Sequence, residues 1–289
     1  MHKIEIAVDV RHELGESVLW DDRYGELVWV DIHRGKLWRY GTGGRPVGHS
    51  MPDRIGAVGL RQGAGYVVGL AKSFGLFDPV TGHYETVAEV EADLPHTRLN
   101  DGRCDRHGNF LCGGINEGGA GKPDSGLYRL SGDGQVEKLM SGIRCANSTC
   151  FSPDGRTLYF SDMPTGEIVR FDYDEAGPLG AARPFHSLSG RQGLPDGSTI
   201  DAEGCLWNAH WGGGRIVRYG SGGETLLEID LPVSNPTCLA FGDADYRTLY
   251  ITTAFFQLTP EQRRREPLAG AVLKVRTEVE GFPEPHFRG

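Results

Sequence analysis

The sequence predicts an all-β fold, a six-bladed β-propeller, from three observations. Glycine is frequent, 43 of 289 residues, and it separates short runs rich in Val, Leu, Ile, Tyr and Trp. Such runs between tight turns mark a strand-rich fold. No long stretch keeps the 3.6-residue apolar period of an amphipathic helix. One pattern, an apolar strand, a polar turn holding Gly or Asp and a second apolar strand, recurs six times along the chain.

The units come in order. "ESVLWDDRYGELVWVD" (16–31) leads into "GKLWRY", and "IGAVGLRQGAGYVVGL" (55–70) into "GLFDP". "LNDGRCDRHGNFLCGG" (99–114) leads into "SGLYRL", and "CANSTCFSPDGRTLYFSD" (145–162) into "GEIVRF". "LPDGSTIDAEGCLWNAHW" (194–211) leads into "GRIVRY", and "TCLAFGDADYRTLYITT" (237–253) into "GAVLKV". In three units a polar residue stands eight positions before a turn glycine: Asn100 before Gly108, Asn147 before Gly155 and Asp196 before Gly204. Anchored on Glu16, Ile55, Asn100, Asn147, Asp196 and Thr237, the spacings are 39, 45, 47, 49 and 41 residues, the size of a four-stranded blade. Six blades cover residues 1–289 as one domain. The N-terminal "KIEIAVDV" (3–10) supplies the outer strand that the last blade lacks, which closes the ring and removes exposed sheet edges. A two-sheet sandwich accounts for the turns but not for six units of this length.

In a propeller the first strand of each blade lines the central channel, so equivalent positions form a ring. Here the ring reads Glu16, Ile55, Asn100, Asn147, Asp196, Thr237. Polar residues there serve either to hold trapped water or, as two carboxylates and two amides at one level, to bind a hard divalent cation. Carboxylates this close repel unless a cation or proton intervenes, which favours the cation. The loops after each second strand emerge on the same face: 33–35, 114–126, 163–166, 210–214 and the long 254–270. Trp211, Phe255 and Phe256 offer apolar surface to a small ligand, and Arg98 is a fixed cation at the same rim.

Composition narrows the partners. A net charge of -9 and the absence of a basic cluster argue against nucleic acid or an anionic membrane. The one basic run, Arg263–Arg265, is flanked by Glu261 and Glu266 and reads as a solvated loop. Six cysteines without CxxC spacing read as reduced, buried thiols. No signal peptide and no apolar run of about 18 residues is present. A soluble, cytoplasmic monomer is the expectation.

The segments "LGESVLWDD", "RLNDGRCDRHG", "NSTCFSPDGRTLYFSD" and "LPDGSTIDAEGCLWNAHWGGGRIVRY" resemble the regucalcin/gluconolactonase family, also called senescence marker protein-like, and the similarity runs from Glu16 to about Lys274. The resemblance implies a six-bladed propeller with one divalent cation in the channel and hydrolysis of sugar lactones. It places metal ligands on Glu16, Asn147 and Asp196, with Asp196 also donating and accepting protons, and substrate contacts on Arg98 and Asn100. A further acidic substrate contact falls near Glu117, where this chain departs from the family in its glycine-rich "CGGIN". The expected reaction is metal-dependent opening of an aldonolactone to the aldonic acid. Calcium, zinc, manganese, magnesium and iron all remain candidates. A non-catalytic calcium-binding propeller and a metal-dependent esterase or organophosphate hydrolase are the alternatives. The chain lacks G-x-S-x-G, H-E-x-x-H and repeated WD signals, which sets aside serine hydrolases, zincins and WD40 repeats.

Overall fold

The computed structural model describes residues 3–41, 43–118 and 121–289, so part of the 114–126 loop lies outside the described residues. Each blade is built on four antiparallel strands ordered from the channel outward, and blade 2 gains a short fifth strand, parallel, from the chain end. The innermost strands are Gly15–Asp21, Ile55–Arg61, Thr97–Cys104, Ala146–Phe151, Leu194–Ile200 and Pro236–Gly242. The last blade takes its outer strand from the N-terminus: Ile4–Val8 runs antiparallel to Val272–Arg276, with Ile4 opposite Val275 and Val8 opposite Val272.

Alternating apolar residues bury each sheet face against the next blade, which produces six apolar clusters, one at each interface. Leu19, Val28 and Val30 of blade 1 meet Ile55, Val58 and Val68 of blade 2. Cys150 and Tyr159 of blade 4 meet Leu206 and Tyr219 of blade 5. Val18, Trp20 and Trp29 of blade 1 meet Cys238 and Tyr250 of blade 6. No unit buries its faces alone, so the ring stands or falls as a whole. The turn glycines of the repeat, Gly108, Gly155 and Gly204, have φ of 93°, 71° and 77°, the left-handed region that glycine adopts without strain.

The chain end crosses the opposite side of the ring from the anchor residues. Gly281 bridges Asp201 at the end of blade 5's inner strand, and His286–Phe287 pairs in parallel with Leu60 and Arg61 at the end of blade 2's. One expectation is corrected here. Arg263–Arg265 belongs to a short exposed helix, Pro260–Arg265, whose capping box joins Thr259 and Gln262 reciprocally.

Candidate active site

Every innermost strand carries a β-bulge at its anchor residue: the register shifts between Glu16 and Leu19, Ile55 and Ala57, Leu99 and Asp101, Asn147 and Cys150, Pro195 and Ser198, and Pro236 and Leu239. A bulge leaves one residue out of the ladder and re-aims it. Ser17 and Ser148, just after Glu16 and Asn147, sit at φ 49° and 59°, a strained conformation for non-glycine residues. Gly197 follows Asp196 for steric reasons, since a Cβ there would lie 2.8 Å from both the Thr237 carbonyl and the Cys238 sulfur of the next blade. The backbone beneath Asp196 is tied down as well: its carbonyl accepts from Ser148 Oγ at 2.8 Å and from Asn208 Nδ2 at 2.7 Å.

These devices bring Glu16, Asn147, Asp196, Arg98 and Asn100 to one cleft of about 300 Å³. Ile55 and Thr237, the other two ring members, do not line it. Ile55 packs in the blade 1/2 core, and Thr237 donates to the Gly15 carbonyl at 2.5 Å. The six-membered ring of the sequence therefore reduces to four polar residues on blades 1, 3, 4 and 5.

Arg98 is buried and held on two sides, donating from Nε to Glu117 at 2.8 Å and from Nη1 to Asn100 Oδ1 at 2.7 Å. Asn100 passes its own N–H to the Ala146 carbonyl at 2.9 Å and approaches Asn147 Oδ1 at 3.4 Å. Glu117 also accepts from Arg54 at 2.6 Å. Burial works to raise the Glu117 pKa, but Arg98 and Arg54 override it and hold it below the ordinary value. Glu117 thus lines the cleft despite the glycine-rich segment before it.

The opposite wall is apolar, made by Leu14, Trp211 and Phe256, with His33 and Gln257 at its edge. Phe255, offered by the sequence as ligand surface, is turned away and lies under the guanidinium groups of Arg263 at 4.3 Å and Arg34 at 5.6 Å. Sequence reasoning passed over Asp101, a third buried carboxylate beneath the site whose Oδ2 accepts from Thr149 N at 2.8 Å. Its signal was present in "RLNDGR": a bulge at Leu99–Asp101 turns neighbouring residues inward together. Met163, 3.2 Å from Asn147 Nδ2, enters from the 163–166 loop that the sequence put on this face, whereas Cys145 was read only as a buried thiol.

Glu16 and Asp196 line the same cleft, and both are almost wholly buried. Burial raises the pKa of each first, and neighbouring carboxylates raise it further: Asp101 acts on Glu16, and Glu16 and Asp101 act on Asp196. Like charges left facing one another in a dry channel fit a cation between them. The donors are two carboxylates and the Asn147 amide oxygen, a hard-oxygen set suited to an oxygen-preferring divalent ion. Among the described residues no group of three His, Cys, Asp or Glu forms a metal site; the set here depends on the amide as its third member.

The family description SMP-30/Gluconolactonase/LRE-like region matches residues 14–255. The chain belongs to this family. Within the SMP-30/gluconolactonase-like family it is 39% identical to the L-arabinolactonase of Azospirillum brasilense, over 98% of this chain and 95% of that one. It is 35% identical to the 6-deoxy-6-sulfogluconolactonase of Pseudomonas putida, over 96% and 95%, and 32% identical to the regucalcin of Xenopus laevis, over 99% of each. The crystal structure of the calcium-binding protein regucalcin from Agrobacterium tumefaciens matches 100% of this chain and 98% of that one, with a TM-score of 0.95 at 31% identity.

Proposed function

We propose that this protein is a sugar-lactone hydrolase that opens an aldonolactone to its aldonic acid with the help of a divalent cation. The observation that carries this reading is the pairing, in one cleft, of buried and mutually repelling carboxylates with a buried arginine and an apolar wall. Family membership supports it, and so do relatives named for arabinolactone and sulfogluconolactone. Glu16, Asn147 and Asp196 would hold the ion, which supplies Lewis acidity to activate water and polarise the lactone carbonyl.

The remaining work belongs to side chains. Arg98 and Asn100 bind ring hydroxyls and set the distance of attack. Glu117 keeps the Arg98 guanidinium aimed by accepting its Nε–H. Asp196 accepts a proton from the attacking water at a carboxylate oxygen and returns it to the departing ring oxygen. Trp211 and Phe256 exclude bulk water, which strengthens each polar contact inside.

The test is acid release from a panel of aldonolactones by chelator-stripped protein, with Ca²⁺, Mg²⁺, Mn²⁺, Zn²⁺ and Fe²⁺ added back singly. Turnover restored by one ion and lost in Asp196→Asn is the expected result. A panel on which no lactone opens faster than spontaneously, with any ion, overturns the reading in favour of an ion-binding propeller.

A further inference from the structure

The two walls of the cleft are chemically unequal. One carries Arg98, Asn100 and Glu117; the other is Leu14, Trp211 and Phe256, with His33 standing at its edge. A sugar lactone bears hydroxyls around its whole ring, so a substrate seated against the polar wall turns others toward the apolar one. A hydroxyl without a partner there is desolvated for nothing.

His33 is built to meet it. Its Nδ1 lies 3.1 Å from Glu13 Oε1, and its ring stands edge-on to Phe256 at 4.4 Å and 87°. The backbone that carries both neighbours is fixed. Asp31, fully buried, accepts from Glu13 N at 3.1 Å and from Leu14 N at 3.3 Å. Phe256 N donates to the Glu13 carbonyl at 2.9 Å. A carboxylate on Nδ1 selects the tautomer with the proton there, which leaves Nε2 a lone pair. Among the described residues Nε2 has no hydrogen-bond partner, although the side chain is only 17% exposed. An imidazole oriented by an acid and clamped by an aromatic ring, with one nitrogen unspent at the wall of a cleft, is more than packing requires.

We infer that His33 is a specificity-determining residue whose Nε2 accepts a hydrogen bond from a hydroxyl of the bound lactone, with Glu13 as its positioning residue. This rests on the lactonase reading. The experiment compares His33→Ala, His33→Gln and Glu13→Gln with the wild type on five- and six-carbon aldonolactones in the preferred metal. Melting curves and calorimetric metal titrations accompany the kinetics.

The expected result for His33→Ala is a KM raised about tenfold with kcat within about threefold, the value of one hydrogen bond to a bound hydroxyl. His33→Gln restores part of the loss, and Glu13→Gln raises KM by a smaller factor. Discrimination between lactones that differ at one hydroxyl narrows in His33→Ala. Metal affinity stays at the wild-type value. The inference is overturned if KM stays within about twofold of wild type for every lactone, or if kcat falls uniformly together with metal affinity, the signature of a distorted site. Should His33→Ala fail to fold, His33→Gln and Glu13→Gln carry the same readout. A wild type that opens no lactone overturns the lactonase reading and this inference with it; an active wild type indifferent to His33 overturns the inference alone.

Discussion

The two mouths of the channel are built from the same six strands and both hold buried charge, yet they treat it in opposite ways. At the mouth where the strands end, Arg103 donates to the Ser198 carbonyl at 2.5 Å and to the Leu239 carbonyl at 3.2 Å, and pairs with Glu284 of the C-terminal segment at 3.2 Å. That segment packs across the opening. Arg106 donates to the Pro283 carbonyl at 2.8 Å and covers Phe282 at 4.3 Å, while Arg61 reaches the Gly289 carbonyl at 2.6 Å. Two spaces are left beside Arg103, each of about 10 Å³, room for a single water. At the mouth where the strands begin, Glu16 and Asp196 line a cleft of about 300 Å³, and the Asp101 carboxylate buried beneath them raises the pKa of both further. Charge at the closed mouth is neutralised within the chain, whereas charge at the open mouth waits for something from outside. Local departures from good internal pairing tend to mark function.

The strongest way to break this contrast is Asp196→Asn. In the proposed mechanism it removes a metal ligand and the proton carrier together, so turnover should fall by about 10³-fold or more. Without metal it also relieves a carboxylate pair, so the stripped variant should melt no lower than stripped wild type. A large drop in the melting temperature would mean that the open mouth is also a structural charge cluster, and the comparison would fail. The converse change is Arg103→Met. It strands Glu284 in a buried site and leaves two carbonyls without a donor, which should cost about 3–5 kcal/mol in urea unfolding. A destabilisation below about 1 kcal/mol would show that the closed mouth is not held by its ion pair.

The sequence exposed these two ends unequally. The repeat spacing gave six blades and put Glu16, Asn100, Asn147 and Asp196 at one level, because a strand period of two fixes which residues face the channel. Glu16, Asn147 and Asp196 as a ligand set came from the family resemblance. The period could not reveal the bulges, which depend on how neighbouring inner strands abut, as at Gly197 against Thr237 and Cys238. For that reason Asp101 went unseen and Ile55 and Thr237 were credited with a place in the cleft. The closed mouth was illegible altogether: Arg103 and Glu284 lie 181 positions apart in the chain (284 − 103), and no local pattern joins them. Phe255 and Phe256 are adjacent in sequence, and only the fold decides that one faces the cleft and the other an arginine pair.

A third buried polar group sharpens the rule, because it stands by the open mouth yet follows the logic of the closed one. His12 lies where the N-terminal segment meets the last blade. Its Nδ1 donates to the Gly270 carbonyl at 2.6 Å, and its Nε2 accepts from Trp29 Nε1 at 2.9 Å. Both ring nitrogens are spent inside the chain, in the neutral tautomer. Burial is the main cause that lowers its pKa from 6.5 to about 4, and protonation would also break the bond from Trp29. Because the folded-state pKa lies below the unfolded one, the unfolded chain takes up the proton first. The stability due to neutral His12 is therefore full above about pH 6.5 and is lost progressively as the pH falls toward about 4. The gap corresponds to about 3 kcal/mol. Urea unfolding at pH 7 and pH 4.5 should resolve it, and His12→Gln should remove that part of the pH dependence while lowering stability at pH 7. If His12→Gln keeps the wild-type pH slope, the ring closure is held by the Ile4–Val8 strand alone. Position near the open mouth would then outweigh internal pairing as the mark of a group that acts on ligand.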